Sequence, residues 1–390
     1  MIRVGFAFFF TDQSWLGGIN YFRNLLQAVH DLPEGRIQPV ILTGFNTDPG
    51  LMRDFPPIRI LKTRMLDHKH PMNLLRKAIK AATGFDLLLE ILCRRHGINV
   101  LSHSKFLRPG SKVKTLAWIF DFQHKHFPEW FDAREIKRRD SEFARACRHS
   151  DRVIVSSRTA QADLAAFHRD YTGKSRVLNF VAGIPKIDNA LDSGKLGEEY
   201  RLPGKYFHVP NQFWIHKNHR VLVEALAVLR KDGRAVHLVA TGHTHDNRHP
   251  RHFEELIGFA KQAGVEKEFQ VLGIVPYGIM RTIMENSVAV LNPSLFEGWS
   301  TTVEEAKSLG KHTILSAIPV HLEQAPERGD FFDPGDPAAL AETMWKVWNG
   351  YDKAADRLAM KLAERALEGR LRRFGLEYQA IVLEVAGRDR

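Results

Sequence analysis

Residues 289–310 read AVLNPSLFEGWSTTVEEAKSLG. Val288, Ala289, Val290 and Leu291 form an apolar run, the pattern of a parallel strand buried on both faces. Asn292, Pro293 and Ser294 break it. Thr301 with Glu304 makes a capping box, which predicts a helix start there, and Gly310 supplies the C-cap. Glu297 falls in the loop and Glu305 in the first turn of the helix. Amides at a helix start lack intrahelical acceptors and carry the positive end of the helix dipole, so they attract anions. Ser300, Thr301 and Thr302 add hydroxyls. Carboxylates flanking a phosphate site do not bind phosphate; they suit the hydroxyls of sugars. The stretch therefore fits a nucleotide-sugar, with its diphosphate on the helix start, ribose at one Glu and the transferred sugar at the other. Acids in a first turn also occur merely because they favour the helix dipole, so the wider context has to decide.

That context carries a resemblance. Phe296-Glu297-Gly298, then Glu304-Glu305-Ala306, Gly310, an apolar strand over 312–316 and Ile318-Pro319-Val320-His321 resemble the retaining glycosyltransferases of the GT-B fold, family 4 (glycosyltransferase group 1). The Glu-x7-Glu motif of that family matches Glu297 and Glu305. Where the family has a Phe-Gly-Leu-Pro loop, this chain has Trp299, Ser300, Thr301 and Thr302. The likeness is strong over most of the C-terminal half and looser over the N-terminal half.

At 390 residues the chain exceeds one ordinary core, and two domains are expected. A composition of 44% hydrophobic and 26% charged residues is that of a globular protein. Cys93 and Cys147 match no metal or redox spacing, which points to reduced thiols and a cytoplasmic setting. No run reaches transmembrane length, and the apolar N-terminus reads as a buried strand over 2–10 rather than a signal segment. The net charge of +11 admits nucleic acid, an anionic membrane or anionic small molecules as partners. Without aromatic–basic interleaving or zinc-finger spacing, a nucleic-acid partner is not expected.

Strands and helices alternate twice over, with polar residues 183–203 between the two series. The predicted fold class is α/β: two Rossmann-like domains facing a cleft (GT-B). The expected division is 1–182 as the acceptor-side domain, 183–203 as linker, 204–368 as the nucleotide-sugar domain and 369–390 as a helix returning to the first domain. Helices are expected over 353–367 and 371–385.

In the first domain, Gly17 and Gly18 lie between the first strand and first helix, where paired glycines permit close approach to a ligand or simply make a tight turn. Residues 61–80 interleave Lys62, Arg64, Lys69, Arg76, Lys77 and Lys80 with Leu66, Met72, Leu74, Leu75 and Ile79. This is either a solvated surface helix or a basic amphipathic face for an anionic membrane, peripheral at its inner leaflet. Asp121 and His124 follow the strand over 113–120, where open α/β sheets place ligands. The resemblance makes His124, with Asp121, residues lining the acceptor side.

In the second domain Lys217 precedes a helix start, an unfavourable place for a cation unless an anion binds there. The resemblance implies an Arg and a Lys on the donor diphosphate. Lys217 matches the Lys, and Asn211 or Gln212 stands at the Arg position. Gly242 lies in a loop near the nucleotide, and Ile274 where nucleobase contacts run through backbone. By resemblance the activity is sugar transfer with retention, from a nucleotide-diphosphate sugar to a glycan or lipid-linked acceptor, in surface polysaccharide assembly. No Asp-x-Asp occurs, so no metal and no other cofactor is expected. Rival readings are a non-catalytic nucleotide-sugar or glycan-binding protein, a sugar-nucleotide epimerase and a glycan phosphorylase.

Overall fold

The computed structural model describes residues 1–9, 16–104, 106–184 and 193–387. Phe10, Trp15 and residues 185–192 of the expected linker lie outside them. The chain divides into two compact units, one of residues 1–181 and 369–390, the other of residues 182–368.

Each unit is built on a parallel sheet with flanking helices, as the alternation of elements predicts. In the first unit the strands are β1 (Ile2–Ala7), β2 (Ile37–Thr43), β3 (Arg59–Lys62), β4 (Val100–Ser102), β5 (Lys114–Ile119), β6 (Arg152–Val155) and β7 (Ser175–Val177). Their order is β3-β2-β1-β4-β5-β6-β7. In the second unit β8 (Phe207–Val209), β9 (Leu238–Thr241), β10 (Phe269–Gly273), β11 (Val290–Asn292), β12 (Thr313–Ser316) and β13 (Gly329–Phe332) run in the order β10-β9-β8-β11-β12-β13. The strand order reverses between β1 and β4, and again between β8 and β11. At such switch points adjacent loops leave in opposite directions and open a crevice at the carboxyl ends of the strands.

The longer helices are α1 (Leu16–His30), α2 (Pro71–Thr83), α3 (Leu87–Arg95), α4 (Ala133–His149), α5 (Arg158–Phe167), α6 (His219–Lys231), α7 (His252–Gln262), α8 (Tyr277–Asn286), α9 (Thr301–Leu309), α10 (Pro337–Asn349) and α11 (Lys353–Val385). In the second unit Val221, Leu222, Ala225 and Leu229 of α6 bury one stripe against Val209, Leu238 and Ala240, joined by Leu340 and Met344 of α10. The apolar run Val288–Leu291 is wholly buried.

Several local expectations are corrected. The two C-terminal helices form one helix, α11, because residues 367–371 contain no Pro and Gly369 is tolerated in its interior at modest cost. Gly375 lets its later part touch α1: a Cβ there would lie 2.6 Å from the Ala28 carbonyl. The Tyr378 hydroxyl donates to Ser102 Oγ at 2.7 Å, 276 residues away. Residues 193–199 of the expected linker form a short helix. Residues 61–80 are no single helix; β3, a turn at Arg64–Leu66 and α2 divide them.

Beneath the second sheet Lys311 is buried, its ammonium donating to Asp356 and to the carbonyls of Ser287 and Glu285. Arg328 holds the other Asp356 oxygen at 2.8 Å. Asp356→Asn strands the Lys311 charge, and the expected loss is about 3–5 kcal/mol of stability. Urea unfolding of the variant measures it; a loss under about 1 kcal/mol contradicts this account.

Candidate functional site

β8 and β11 meet at the switch point of the second unit, and their outgoing loops build the site. Asn292, last in β11 and fully buried, is its hub. Its Oδ1 accepts from Asn211 Nδ2 at 2.9 Å, Ser294 Oγ at 2.6 Å and the Ser294 amide at 3.3 Å. Its Nδ2 donates to Ser300 Oγ at 2.8 Å and to Glu297 Oε1 at 3.4 Å. One amide therefore joins the end of β8, the loop after β11 and the start of α9.

Glu297 Oε1 also accepts from Lys217 Nζ at 2.6 Å and lies 2.8 Å from Ser294 Oγ, whose single proton it shares with Asn292 Oδ1. Among the described residues these hydrogen bonds all fall on Oε1, which leaves the lone pairs of Oε2 for a ligand. Burial pushes the Glu297 carboxyl up, yet Lys217, His321 and His216 together pull it down to about 2. Burial pushes the imidazoles of His216 and His321 down to about 3 and about 4, so both are neutral at pH 7. The Lys217 ammonium is therefore the charge that keeps Glu297 ionised.

Backbone geometry holds Lys217 in place. It ends the turn Ile215–Lys217, and Asn218 follows in the left-handed region at φ 52°. Asn tolerates that conformation, and its Nδ2 donates to the carbonyls of Pro293 and Pro334. The Leu295 amide donates to the His216 carbonyl at 2.8 Å. The Ile215 amide donates to the buried Asp246, whose other oxygen accepts the Arg248 amide. The guanidinium of Arg248 is 3.9 Å from the same carboxylate and near enough to His216 to oppose its protonation.

The start of α9 departs from the expected capping box. Ser300, not Thr301, is the N-cap; its Oγ accepts from the Val303 amide. Glu304 accepts from Lys307 and Gln324. Gln324 accepts from the Ser300 amide at 3.1 Å and donates to the Ser300 carbonyl at 3.0 Å. The amide of Ser300 and the acceptor side of its hydroxyl are thus committed within the protein. Thr302 Oγ1 is also committed, lying 2.9 Å from Asn211 Oδ1 and 3.3 Å from the Pro210 carbonyl. The amides of Thr301 and Thr302, first in the helix, remain as anion donors. Glu305 is nearly buried one position beyond Glu304.

Asn211 is corrected as well: buried, with its amide shared between Asn292 and Thr302, it braces the site and is not placed to take the part of an Arg. Gln212 keeps a buried Oε1 without a hydrogen-bond partner. Gly242, at φ 145°, brings the end of β9 against this backbone; a Cβ there would lie 2.3 Å from the Asn211 carbonyl. Its amide donates to the Gly273 carbonyl, and Ile274 next to Gly273 is exposed.

In the first unit the expected acceptor residues are placed differently. His124 is buried between Phe131 and Phe143, with Nε2 at 3.0 Å from Asp140 of α4. Burial lowers its pKa against the pull of Asp140, so the ring is a neutral donor to that carboxylate. It braces α4 and does not line a surface. Asp121 accepts from the Gln123 amide and faces Arg139 at 3.7 Å, not His124. Gly17 and Gly18 lie within α1 rather than in a loop, with open space around Gly17.

Sequence reading missed His103. It follows β4 at the first unit's switch point, at φ 52°, an uncommon conformation for His. Its Nε2 meets the Tyr21 hydroxyl at 2.7 Å and its Nδ1 meets Ser102 Oγ at 2.8 Å. Burial takes His103 down to about 3 and Tyr21 well up, so both are neutral. His321 carries no role in the sequence pattern; its Nδ1 donates to the Ser316 carbonyl, and its buried Nε2 has no partner among the described residues. Arg248 likewise has no sequence signal beyond lying in a loop after a strand. Among the described residues no group of three or more His, Cys, Asp or Glu is arranged to hold a metal, and no helix is long and apolar enough to cross a membrane.

Residues 201–366 match the family Glycosyl transferases group 1, so the second unit carries a domain of that kind. No curated protein matches the chain. Among solved structures, a glycosyltransferase from Rickettsia africae is similar at 15% identity and TM-score 0.69, covering 100% of this chain and 99% of that one. HepE of Anabaena, solved with UDP and glucose, is similar at 14% identity and TM-score 0.65, over 97% of this chain and 100% of that one. WaaG, a glycosyltransferase of lipopolysaccharide biosynthesis, is similar at 14% identity and TM-score 0.61, over 98% and 100%. At such identities the likeness is one of fold, the GT-B fold.

The depressed groups predict a pH dependence. His208, His216 and His219 sit at about 3 and His321 at about 4, against an ordinary 6.5. A folded pKa below the unfolded one gives stability that is complete above the unfolded value and lost as pH falls towards the folded one. Unfolding below pH 6.5 therefore takes up roughly one proton per histidine, on the order of 1 kcal/mol per pH unit each. The expected result is a urea midpoint that falls steeply from about pH 7 to about pH 5, less steeply in His216→Gln. A flat midpoint over that range contradicts the burial described.

Proposed function

We propose that the group 1 domain of residues 201–366 binds a nucleotide-diphosphate sugar and that the protein is a retaining glycosyltransferase of family 4. The observation that carries the proposal is the Lys217–Glu297 pair beside the start of α9, at the carboxyl ends of the strands flanking a switch point. Glu297 cancels the Lys217 charge locally, so the pair alone is a poor phosphate trap. It suits a ligand that presents sugar hydroxyls and a leaving phosphate together.

In this reading Glu297 Oε2 accepts a hydroxyl of the donor sugar, and Glu305 holds the ribose hydroxyls. The diphosphate lies against the Thr301 and Thr302 amides and Lys217, with Gln212 at its edge. As the sugar–phosphate bond breaks, negative charge grows on the departing phosphate. In this reading Lys217 and the two amides stabilise that charge from positions fixed by the fold, with little reorganisation. The departing phosphate takes the proton of the acceptor hydroxyl, which keeps the acceptor on the donor's face and retains configuration. No metal or other cofactor enters this scheme. Gly242 and Ile274 border the base through backbone and an exposed apolar side chain. The acceptor is a glycan or a lipid-linked glycan, in surface polysaccharide assembly, and the site of action is cytoplasmic. Since HepE was solved with UDP and glucose, UDP is the first diphosphate to test.

Thermal denaturation with UDP, GDP, dTDP and CDP, with and without magnesium, tests donor binding. One diphosphate is expected to raise the wild-type midpoint but not that of Glu305→Ala, whose affinity falls roughly tenfold to a hundredfold. Lys217→Ala is expected to lower kcat roughly a hundredfold or more with a smaller effect on nucleotide affinity. Wild-type kinetics in both variants overturn the assignment. Donor binding without turnover on any acceptor instead identifies a binding protein.

A further inference from the structure

The amino ends of the second sheet carry a cavity of about 630 Å³. Neighbouring parallel strands begin side by side, so the residues that lead into them share one edge. β10, β9 and β8 are neighbours in that order, and a basic side chain leads into each. Lys267 stands two positions before Phe269, His237 one before Leu238 and Lys205 two before Phe207. All three line the cavity, and Arg201 joins them. The carboxylate of the lining is that of Glu266, so three permanent cations share the cavity with one anion.

Arg201 is held there against its backbone preference. It follows the short helix 193–199 at φ 51°. The Tyr200 amide donates to the Leu196 carbonyl and the Leu202 amide to the Gly197 carbonyl, which closes the helix around Arg201. The left-handed residue of such a helix end is usually glycine, which has no Cβ to clash. Gln270 Nε2 donates to the Tyr200 carbonyl at 2.8 Å and fixes this turn to β10. Yet among the described residues the Arg201 guanidinium has no hydrogen bond or ion pair, and neither has the Lys267 ammonium. A strained backbone that presents an unengaged cation to a cavity is the pattern of a binding position. The opposite wall is aromatic. Lys205 Nζ donates to the Trp348 carbonyl at 2.6 Å and lies 4.7 Å from the centre of the Trp348 ring, which packs on Phe207.

We propose that this cavity binds a phosphorylated monosaccharide, with its phosphate between Arg201, Lys205 and Lys267 and its sugar ring against Trp348. Three features choose this ligand. Converging guanidinium and ammonium groups suit a phosphate, to which they make charge-assisted hydrogen bonds. The volume is that of a small-molecule site and exceeds what inorganic phosphate fills. Gln270 spends its amide nitrogen on Tyr200 and keeps its carbonyl oxygen for a sugar hydroxyl. The cavity lies at the amino ends of the strands, whereas Lys217 and Glu297 lie past their carboxyl ends. It is therefore a second site, and the inference does not depend on the donor reading.

The test is thermal denaturation of the full chain with glucose 6-phosphate, glucose 1-phosphate, inorganic phosphate and glucose, titrated at constant ionic strength. A hexose phosphate is expected to raise the midpoint, inorganic phosphate to raise it less, and glucose to leave it unchanged. Arg201→Gly removes the cation and the backbone strain together. Without ligand this variant is expected to melt no lower than wild type, yet its affinity for the hexose phosphate falls roughly tenfold or more. Lys267 is exposed, so Lys267→Gln keeps the wild-type midpoint and is expected to weaken binding roughly tenfold. No stabilisation by either hexose phosphate overturns the proposal. So does wild-type affinity in both variants, which places the ligand elsewhere on the chain. Equal stabilisation by inorganic phosphate also overturns it, and leaves a plain anion site.

Discussion

The partly buried ion pair between Lys217 and Glu297 is the constraint around which the second unit is arranged. A carboxylate so enclosed needs donors, and Lys217, Ser294 and Asn292 all reach the same oxygen. Each of those donors must be fixed in turn. Asn292 is fixed by Asn211 and Ser300, Lys217 by the left-handed Asn218, and Ser300 by Gln324. Removing any one of them leaves a buried polar group unsatisfied, which costs more than the bond itself contributes. The network thus holds the open oxygen of Glu297 and the amides of α9 in one geometry before any ligand arrives. Such preorganisation is what catalysis by fixed charges requires.

The switch points explain why chemistry gathers where it does. In both units the central strands part at their carboxyl ends, and the residue at or just past the end of a central strand carries strain or an unusual polar burden. In the first unit this is His103, left-handed and enclosed by aromatic rings. In the second it is Asn292 with its five hydrogen bonds. In the first unit α2 packs against the usual pattern. The buried Arg76–Asp86 pair makes a polar inner face possible, and so frees apolar side chains to face outward.

Much of the fold was legible from the chain. The apolar run Val288–Leu291, the interruption at Asn292–Ser294 and the Gly310 cap mark β11, the loop and α9 to within two residues. Periodicity reports burial on a repeating geometry, and a parallel sheet with helices repeats it many times. The errors arose where side chains from elsewhere took over a local role. Ser300 displaced Thr301 as cap because Gln324, 24 residues on, and Asn292 at the end of β11 satisfy it. His124 looked like a ligand-facing residue because it follows a strand, but Asp140 and two Phe rings turn it inward.

The sequence by itself determined the alternation of strands and helices, the two-unit plan, and the pairing of Glu297 and Glu305 around a helix start. These depend on spacings within about twenty residues, which local backbone geometry converts directly into positions. Only the tertiary structure decided which polar groups remain open to a ligand. Thr302 and Asn211 have the right chemistry for an anion, yet their partners lie 91 and 81 residues away and consume them. The same holds for the direction of α2. Its sequence is amphipathic whichever face is buried, and the contact of Arg76 with Asp86, absent from any local pattern, sets the apolar side outward.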